Sequence, residues 1–340
     1  MNNNKKKSMD NSQTKKTSNW LNNGINALNG IVGDYLNQRE NELAFDMAFY
    51  NNNKAIDLNK IISEQINIKL SSKICIFVHG LCCNESFWFF NTDSENKDQY
   101  TSYGILLNKE KKYTPFYLRY NSGLHISENG EKLSNLLDQL ISAYDKRINE
   151  ISLIGHSMGG LLLRSASIYG QNLNHKWIKK AKKFIYIGSP HMGAPLEKLG
   201  NIISFALDIP NHPVTDLIEK IVNVRSSGIK DLRYGNIKHE EWKDHNPDEF
   251  LTSHREKISL LQGAKHYAIA GTIPNNPDGI ASNIIGDALV RKPSALIDDM
   301  QKEYGDQLKS DNIQTFQGVN HINLGHNLDV YKQIKKWLDC

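Results

Sequence analysis

Gly155-His156-Ser157-Met158-Gly159 sets a serine between two glycines at G-x-S-x-G spacing. A hydroxyl is a weak nucleophile until a base takes its proton, and this spacing suits a serine raised on a sharp strand-to-helix turn. The apolar run Ile151–Ile154 leads directly into the motif. Small residues (Gly159, Gly160, then Ser165 and Ala166) follow it at the start of a predicted helix. Side chains at positions 155 and 159 would collide with neighbouring backbone, which accounts for both glycines. Ser157 would then stand at a helix N-terminus, where backbone N–H groups favour developing negative charge. The rival reading is a serine in an ordinary strand–turn–helix connection, and the rest of the constellation weighs against it.

Acyl transfer to serine needs two backbone donors aimed at the tetrahedral oxyanion. The residue after the nucleophile, Met158, is expected to supply one. The run Ile74–Val78 ends in His79-Gly80-Leu81, and the N–H of Leu81 is the expected second donor. Gly80 would let the backbone approach the substrate. His79 precedes the nucleophile and is expected to hydrogen-bond its own loop and not to act as the base. His79, Gly80, His156 and His191 are the residues expected to line the substrate pocket.

One known order for such a triad is serine, acid, histidine. Downstream of Ser157, Gly286-Asp287-Ala288-Leu289-Val290 puts a carboxylate in a turn before an apolar run. Gly318-Val319-Asn320-His321 follows a candidate last strand. His321 would take the proton from Ser157, and Asp287 would fix the imidazole tautomer. Asp278 lies in a Pro/Asn/Gly loop and suits a turn, while Asp298 and Asp299 suit a solvated helix face. His326 is five residues beyond His321, and the pattern alone leaves both open.

The elements around these residues alternate strand and helix, as in a mainly parallel sheet. Ile74–Val78, Ile151–Ile154 and Phe184–Ile187 read as buried strands, with weaker strands at Tyr267–Ala270 and around Thr315–Phe316. Leu133, Leu136, Leu137, Leu140, Ile141 and Tyr144 form the apolar face of a crossover helix, and Val330, Ile334, Trp337 and Leu338 that of a final one. Residues 191–262 interrupt the alternation and read as a cap above the sheet. Helices are expected near Leu196–Leu207 and Val214–Val224, followed by a polar, His-rich stretch without a period. Residues 1–18 are a polar tail expected to be disordered. Residues 19–340 form a single domain whose first part, 19–50, is a helical extension. The helix over residues 19–37 carries Leu21, Ile25, Leu28, Val32 and Leu36 on one face; it is expected to pack on the body, with peripheral membrane contact as the alternative.

Composition narrows the partners. Five of the 41 basic residues and one of the 37 acidic ones lie in residues 1–16, leaving 36 of each in the body. A neutral body lacks the basic face that a nucleic-acid binder needs. No apolar run approaches the roughly 20 residues of a membrane span, and the N-terminus lacks the apolar core of a secretory signal, so the cytoplasm is the expected location. Cys75, Cys82, Cys83 and Cys340 show no Cys-x-x-Cys spacing, which predicts reduced thiols without a disulfide framework or zinc site. No metal or organic cofactor is expected, because proton transfer and nucleophilic attack need neither.

Taken together the motifs resemble the bacterial lipase/esterase-like branch of the α/β-hydrolases, related to the GPI inositol-deacylases. The matching stretches are Val78-His79-Gly80-Leu81, Thr114-Pro115 with Leu118–His125, Gly155–Gly160, Gly188–Pro195, Gly286–Val290 and Asn320-His321. The resemblance implies an α/β-hydrolase fold from about residue 20 to the end, with Ser157, Asp287 and His321 as the triad, and it favours His321 over His326. Two positions depart from the pattern: Ala288 stands where a second glycine is usual, and Arg291 where proline is common. The leading expectation is hydrolysis of a lipid or other hydrophobic acyl ester through an acyl-enzyme. Acyl transfer or amide hydrolysis by the same triad is the second reading, and a non-catalytic binding protein on this scaffold the third.

Overall fold

The computed structural model describes residues 46–51, 54–66, 68–92, 100–144, 147–195, 200, 226–244, 255–272 and 300–340. The expected tail, the 19–37 helix, both early cap helices and Asp278, Asp287, Asp298 and Asp299 lie outside these residues.

Among the described residues ten strands and five α-helices carry the architecture. The strands are β1 (Ala48–Asn51), β2 (Lys54–Ala55), β3 (Lys73–Val78), β4 (Phe89–Asn91), β5 (Tyr100–Ser102), β6 (Thr114–Arg119), β7 (Glu150–His156), β8 (Ala181–Ile187), β9 (Lys265–Thr272) and β10 (Ile313–Gln317). The helices are α1 (Tyr103–Lys111), α2 (Ile126–Ala143), α3 (Met158–Asn172), α4 (Ser227–Tyr234) and α5 (Leu328–Asp339). Eight strands form one sheet in the order β10-β9-β8-β7-β3-β6-β1-β2, parallel from β10 to β6 and closed by antiparallel β1 and β2. This is the α/β-hydrolase fold. β4 and β5 make a separate two-stranded ribbon.

Because successive strand residues face opposite sides, the apolar runs feed two cores at once. In β3, Ile74, Ile76 and Val78 join the core under α2 and α3, while Cys75 and Phe77 join the core beneath α1 and α5. The crossover helix α2 begins earlier than its leucines suggest. Its first turns bury Ser127, Asn129, Gly130 and Ser134, and small polar residues carry no hydrophobic period. A Cβ on Gly130 would come within 2.0 Å of Ser165 Oγ, so α2 and α3 meet at backbone distance.

The described part of residues 191–262, the stretch expected to form a cap, differs from expectation in one respect. The stretch without a period contains α4, capped by Ser226 and ended by Gly235 at φ 76°. Its buried face is Gly228, Ile229, Asp231 and Leu232, and the glycine and aspartate break the apolar pattern that would have marked a helix. α4 is fastened to the body. The N–H of Gly228 donates to Gly123 O (3.0 Å). Asp231 Oδ2 accepts from the N–H of Ile126 (2.7 Å), the first residue of α2, and from His125 Nδ1 (3.0 Å). His125 in turn stacks flat on Trp242, ring centres 3.5 Å apart. No helix among the described residues is long and apolar enough to cross a membrane.

Candidate active site

Parallel strands deliver their C-terminal ends to one edge, so β3, β7, β8 and β10 run into loops that gather there. β7 hands the chain to α3 through Ser157, held at φ 53° and ψ −125°. A side chain in this region costs of order 1–3 kcal/mol, and the surroundings hold it there. The Ser157 N–H donates to Ile187 O on the neighbouring strand (2.8 Å). The flanking glycines are required by contact. A Cβ at Gly155 would lie 2.7 Å from the backbone of Gly159, and one at Gly159 would lie 2.4 Å from Val78 O. Ser157 Oγ is buried and has no hydrogen-bond partner among the described residues.

The loop after β3 lies directly against the serine. A Cβ on Gly80 would meet Ser157 Cβ at 3.0 Å and His156 Nδ1 at 3.2 Å. Leu81 and Met158 are fully buried beside it. The neighbouring amides are committed elsewhere: Cys82 N–H to Ser122 Oγ (3.0 Å) and Cys83 N–H to Gly80 O (3.4 Å). His79 faces away from the serine into the protein. Its Nδ1 donates to Gly80 O (2.9 Å) and its Nε2 faces the N–H of Tyr120 (3.4 Å), on whose ring it stacks. Burial lowers its pKa to about 3, so the ring is neutral.

These contacts explain the Leu118–His125 stretch, which carries no chemistry of its own. Tyr120 donates its hydroxyl to His79 O (3.0 Å), and Ser122 accepts the amide of Cys82. Arg119 pairs through Nε and Nη2 with Glu85, at the start of the turn Glu85–Trp88. The sequence pattern marks this stretch but assigns its members no role.

His156 and His321 come together. Their ring centres are 4.7 Å apart, and His156 Nε2 donates to the backbone oxygen of His321 (2.9 Å). On its other side His156 stacks on Phe87 (4.3 Å). A Cβ on Gly188, the residue after the carbonyl that holds Ser157, would lie 2.9 Å from His321 Nδ1. His321 is buried, and burial lowers its pKa to about 4. His326 sits elsewhere, its Nε2 donating to Phe87 O (2.5 Å) and its ring packed on Phe87 and Phe90. The described structure thus brings Ser157, Gly80, His156 and His321 to one place and turns His326 into a brace. His191 lies on the loop after β8, with its ring against Tyr186 and Tyr304. Phe87, which no motif marked, touches both His156 and His326.

Helix α4 packs over this edge. Leu81, Met158, Leu161, Ala194, Ile229 and Leu232 belong to one apolar cluster, and a Cβ on Gly228 would meet Met158 Cε at 3.1 Å.

Residues 69–269, more than half of the chain, match the family of the PGAP1-like alpha/beta domain. The chain belongs to this family. The match takes in the loop after β3, the serine motif and the loop after β8; Asp287 and His321 lie beyond it. This PGAP1-like domain is similar to the mature lipase BlEst2 of Bacillus licheniformis at 14% identity and TM-score 0.43, over 80% of this chain and 94% of the lipase. It is similar to an esterase of Thermogutta terrifontis at 12% and 0.42, over 80% and 91% of the two chains. An esterase of Pyrococcus furiosus gives 14% and 0.43, over 79% and 82%. No curated protein matches this PGAP1-like chain.

Proposed function

We propose that this chain hydrolyses carboxylic esters through an acyl-enzyme on Ser157. The observation that carries the reading is Ser157 itself: a buried hydroxyl on a left-handed turn between β7 and α3, packed against Gly80 of the loop after β3. That strain has no structural use for an ordinary turn, whereas it holds a nucleophile clear of its own helix.

His321 takes the proton of Ser157 Oγ as the oxygen attacks the ester carbonyl. Asp287 holds the imidazole tautomer and balances the cation. The oxyanion faces the N–H groups of Leu81 and Met158, each worth on the order of 3 kcal/mol of barrier. The alcohol leaves with the proton from His321. A water molecule, deprotonated by the same ring, then attacks the acyl-enzyme and releases the carboxylate. The apolar cap cluster above the serine supports a lipid or other hydrophobic acyl ester as substrate.

A fluorophosphonate should modify the intact protein once and leave Ser157→Ala untouched. A series of p-nitrophenyl esters should then show preference for longer acyl chains. Equal labelling of the two proteins overturns the assignment, and products that appear only with an added alcohol would identify acyl transfer instead.

A further inference from the structure

On the far side of the loop after β8 lies a second polar cluster that the proposed hydrolysis does not use. Arg164, on α3, is 3% exposed. A guanidinium stays protonated at any working pH, and a buried cation is costly unless an anion or a full set of acceptors meets it. Here it meets little. Nη2 donates to Ile258 O (3.2 Å), the group lies 5.0 Å from the centre of the Tyr304 ring, and Nη1 has no hydrogen-bond partner among the described residues. The neighbouring carboxylate, Glu303, is gripped at two points by Arg255 (2.5 and 3.1 Å).

The groups around it are unsatisfied as well. The Tyr304 hydroxyl and both nitrogens of His191 are buried without a hydrogen-bond partner among the described residues. His191 meets Tyr304 edge-on, ring centres 5.6 Å apart, and faces Tyr186 at 4.6 Å. Tyr186 is spoken for, since its hydroxyl donates to His266 Nδ1 while His266 Nε2 donates to Leu261 O. Orphan donors so close together are rare in folded proteins, where nearly every buried polar group is paired. Of these groups His191 lines a cavity of about 60 Å³, together with Ser189, Ala268 and Met300 and with Gly188 in its wall. Ser189 Oγ is a further buried, unpartnered group there.

We propose that Arg164, Tyr304 and His191 form a binding site for a small carboxylate. Arg164 supplies the charge, while the Tyr304 hydroxyl and one His191 N–H supply directed hydrogen bonds. The charge count favours a monoanion. Among the described residues Arg255 is paired with Glu303 whereas Arg164 meets no carboxylate of its own, and burial together with Arg164 keeps His191 neutral. The size of the cavity limits the group to a carboxylate on a short stem. Gly188 separates this site from His321, so an occupant would sit next to the proposed base without touching Ser157. The site stands or falls independently of the ester-hydrolysis reading.

The test uses the full chain and acetate as the probe. Sodium acetate titrated against sodium chloride at matched ionic strength should raise the thermal midpoint saturably, and calorimetry should give a dissociation constant in the millimolar range. Tyr304→Phe keeps the ring under Arg164 and removes only the orphan hydroxyl. It should leave the midpoint without acetate unchanged or higher, and weaken acetate binding about tenfold, as expected for a hydrogen bond to a charged group. His191→Phe should act in the same direction. Acetate and chloride acting alike, or Tyr304→Phe binding acetate as the parent does, overturns the proposal. Tighter binding of inorganic phosphate than of acetate would overturn the choice of a carboxylate. Fluorophosphonate labelling of Ser157, measured alongside, reports on the other site separately.

Discussion

The serine turn and the histidine loop are built by opposite means. Ser157 is marked by its own neighbours in sequence, since Gly155 and Gly159 make room for the turn, while Ile187 O on the adjacent strand accepts its N–H. The segment from His321 to Asn327 is fixed by residues far away along the chain. His156 Nε2 donates to His321 O, and Phe87 O accepts from His326. The Tyr103 hydroxyl lies 2.9 and 2.7 Å from the carbonyl oxygens of Leu324 and Asn327. A locally built site announces itself as a motif. A remotely built one leaves only loose order and spacing, and its members are told apart by what they touch.

That contrast can be broken first at the two histidines. His321→Ala should cost on the order of 10⁴-fold in turnover, as loss of a general base does. His326→Ala should cost a few-fold, through a slackened Phe87 contact. Steady-state kinetics on a p-nitrophenyl ester reads both, and the reverse ranking would show that the brace and the base have been exchanged.

The acid is the next lever. The described surroundings hold His321 near 4, whereas a carboxylate beside the ring stabilises the cation and raises that value. With Asp287 in place, the acidic limb of kcat/KM should fall around pH 6–7. Asp287→Asn should lower turnover about 10⁴-fold and move the limb down towards 4. A limb that stays put in this variant would separate Asp287 from the ring, and Asp278→Asn and Asp298→Asn should move neither quantity.

On the local side, Gly159→Ala should cost roughly 3 kcal/mol or more, because its Cβ meets backbone oxygen that cannot step aside. Urea denaturation measures the loss; a change below about 1 kcal/mol would mean the turn is softer than its contacts indicate.

A further prediction concerns acid stability. Burial holds His79 at about 3 and His266 at about 4, against 6.5 when free. The unfolded chain therefore binds protons between pH 6.5 and 4 that the folded chain refuses, and stability must fall as pH drops through that window. Urea midpoints should be flat just above pH 7 and decline below 6.5. His266→Gln should flatten part of the slope.

Much of the fold was legible because β3, β7 and β8 are short apolar runs and α5 has a clean period. The expected cores of these elements all fall inside the observed ones, which extend by one to three residues at their ends. β1, β2, β4, β5, β6 and α1 were not foreseen, and β1 begins inside the 19–50 stretch expected to be a helical extension. β2 is a two-residue edge strand with the four-residue β1 beside it, and α1 buries only Tyr103, Gly104 and Leu107. α4 escaped because its buried face spends two positions on Gly228 and Asp231. At the site, Ser157, Gly80 and Leu81 could be read from local spacing. The bond from His156 to His321 joins residues 165 positions apart, and no window along the chain contains it. Arg164 was hidden differently, as one charged residue on a helix that looked ordinary.

Asp231 caps a helix that is not its own. A cap is often pictured as a module to be exchanged for another to retune an enzyme, and here the seam runs through the wrong place for that. Cutting out residues 226–244 would strip the first turn of α2 of its carboxylate, leave His125 without the Trp242 ring, and open the floor above Met158. A graft that respects this wiring would take residues 121–127 along with the cap, so the exchangeable unit is a clasp of two segments distant in sequence.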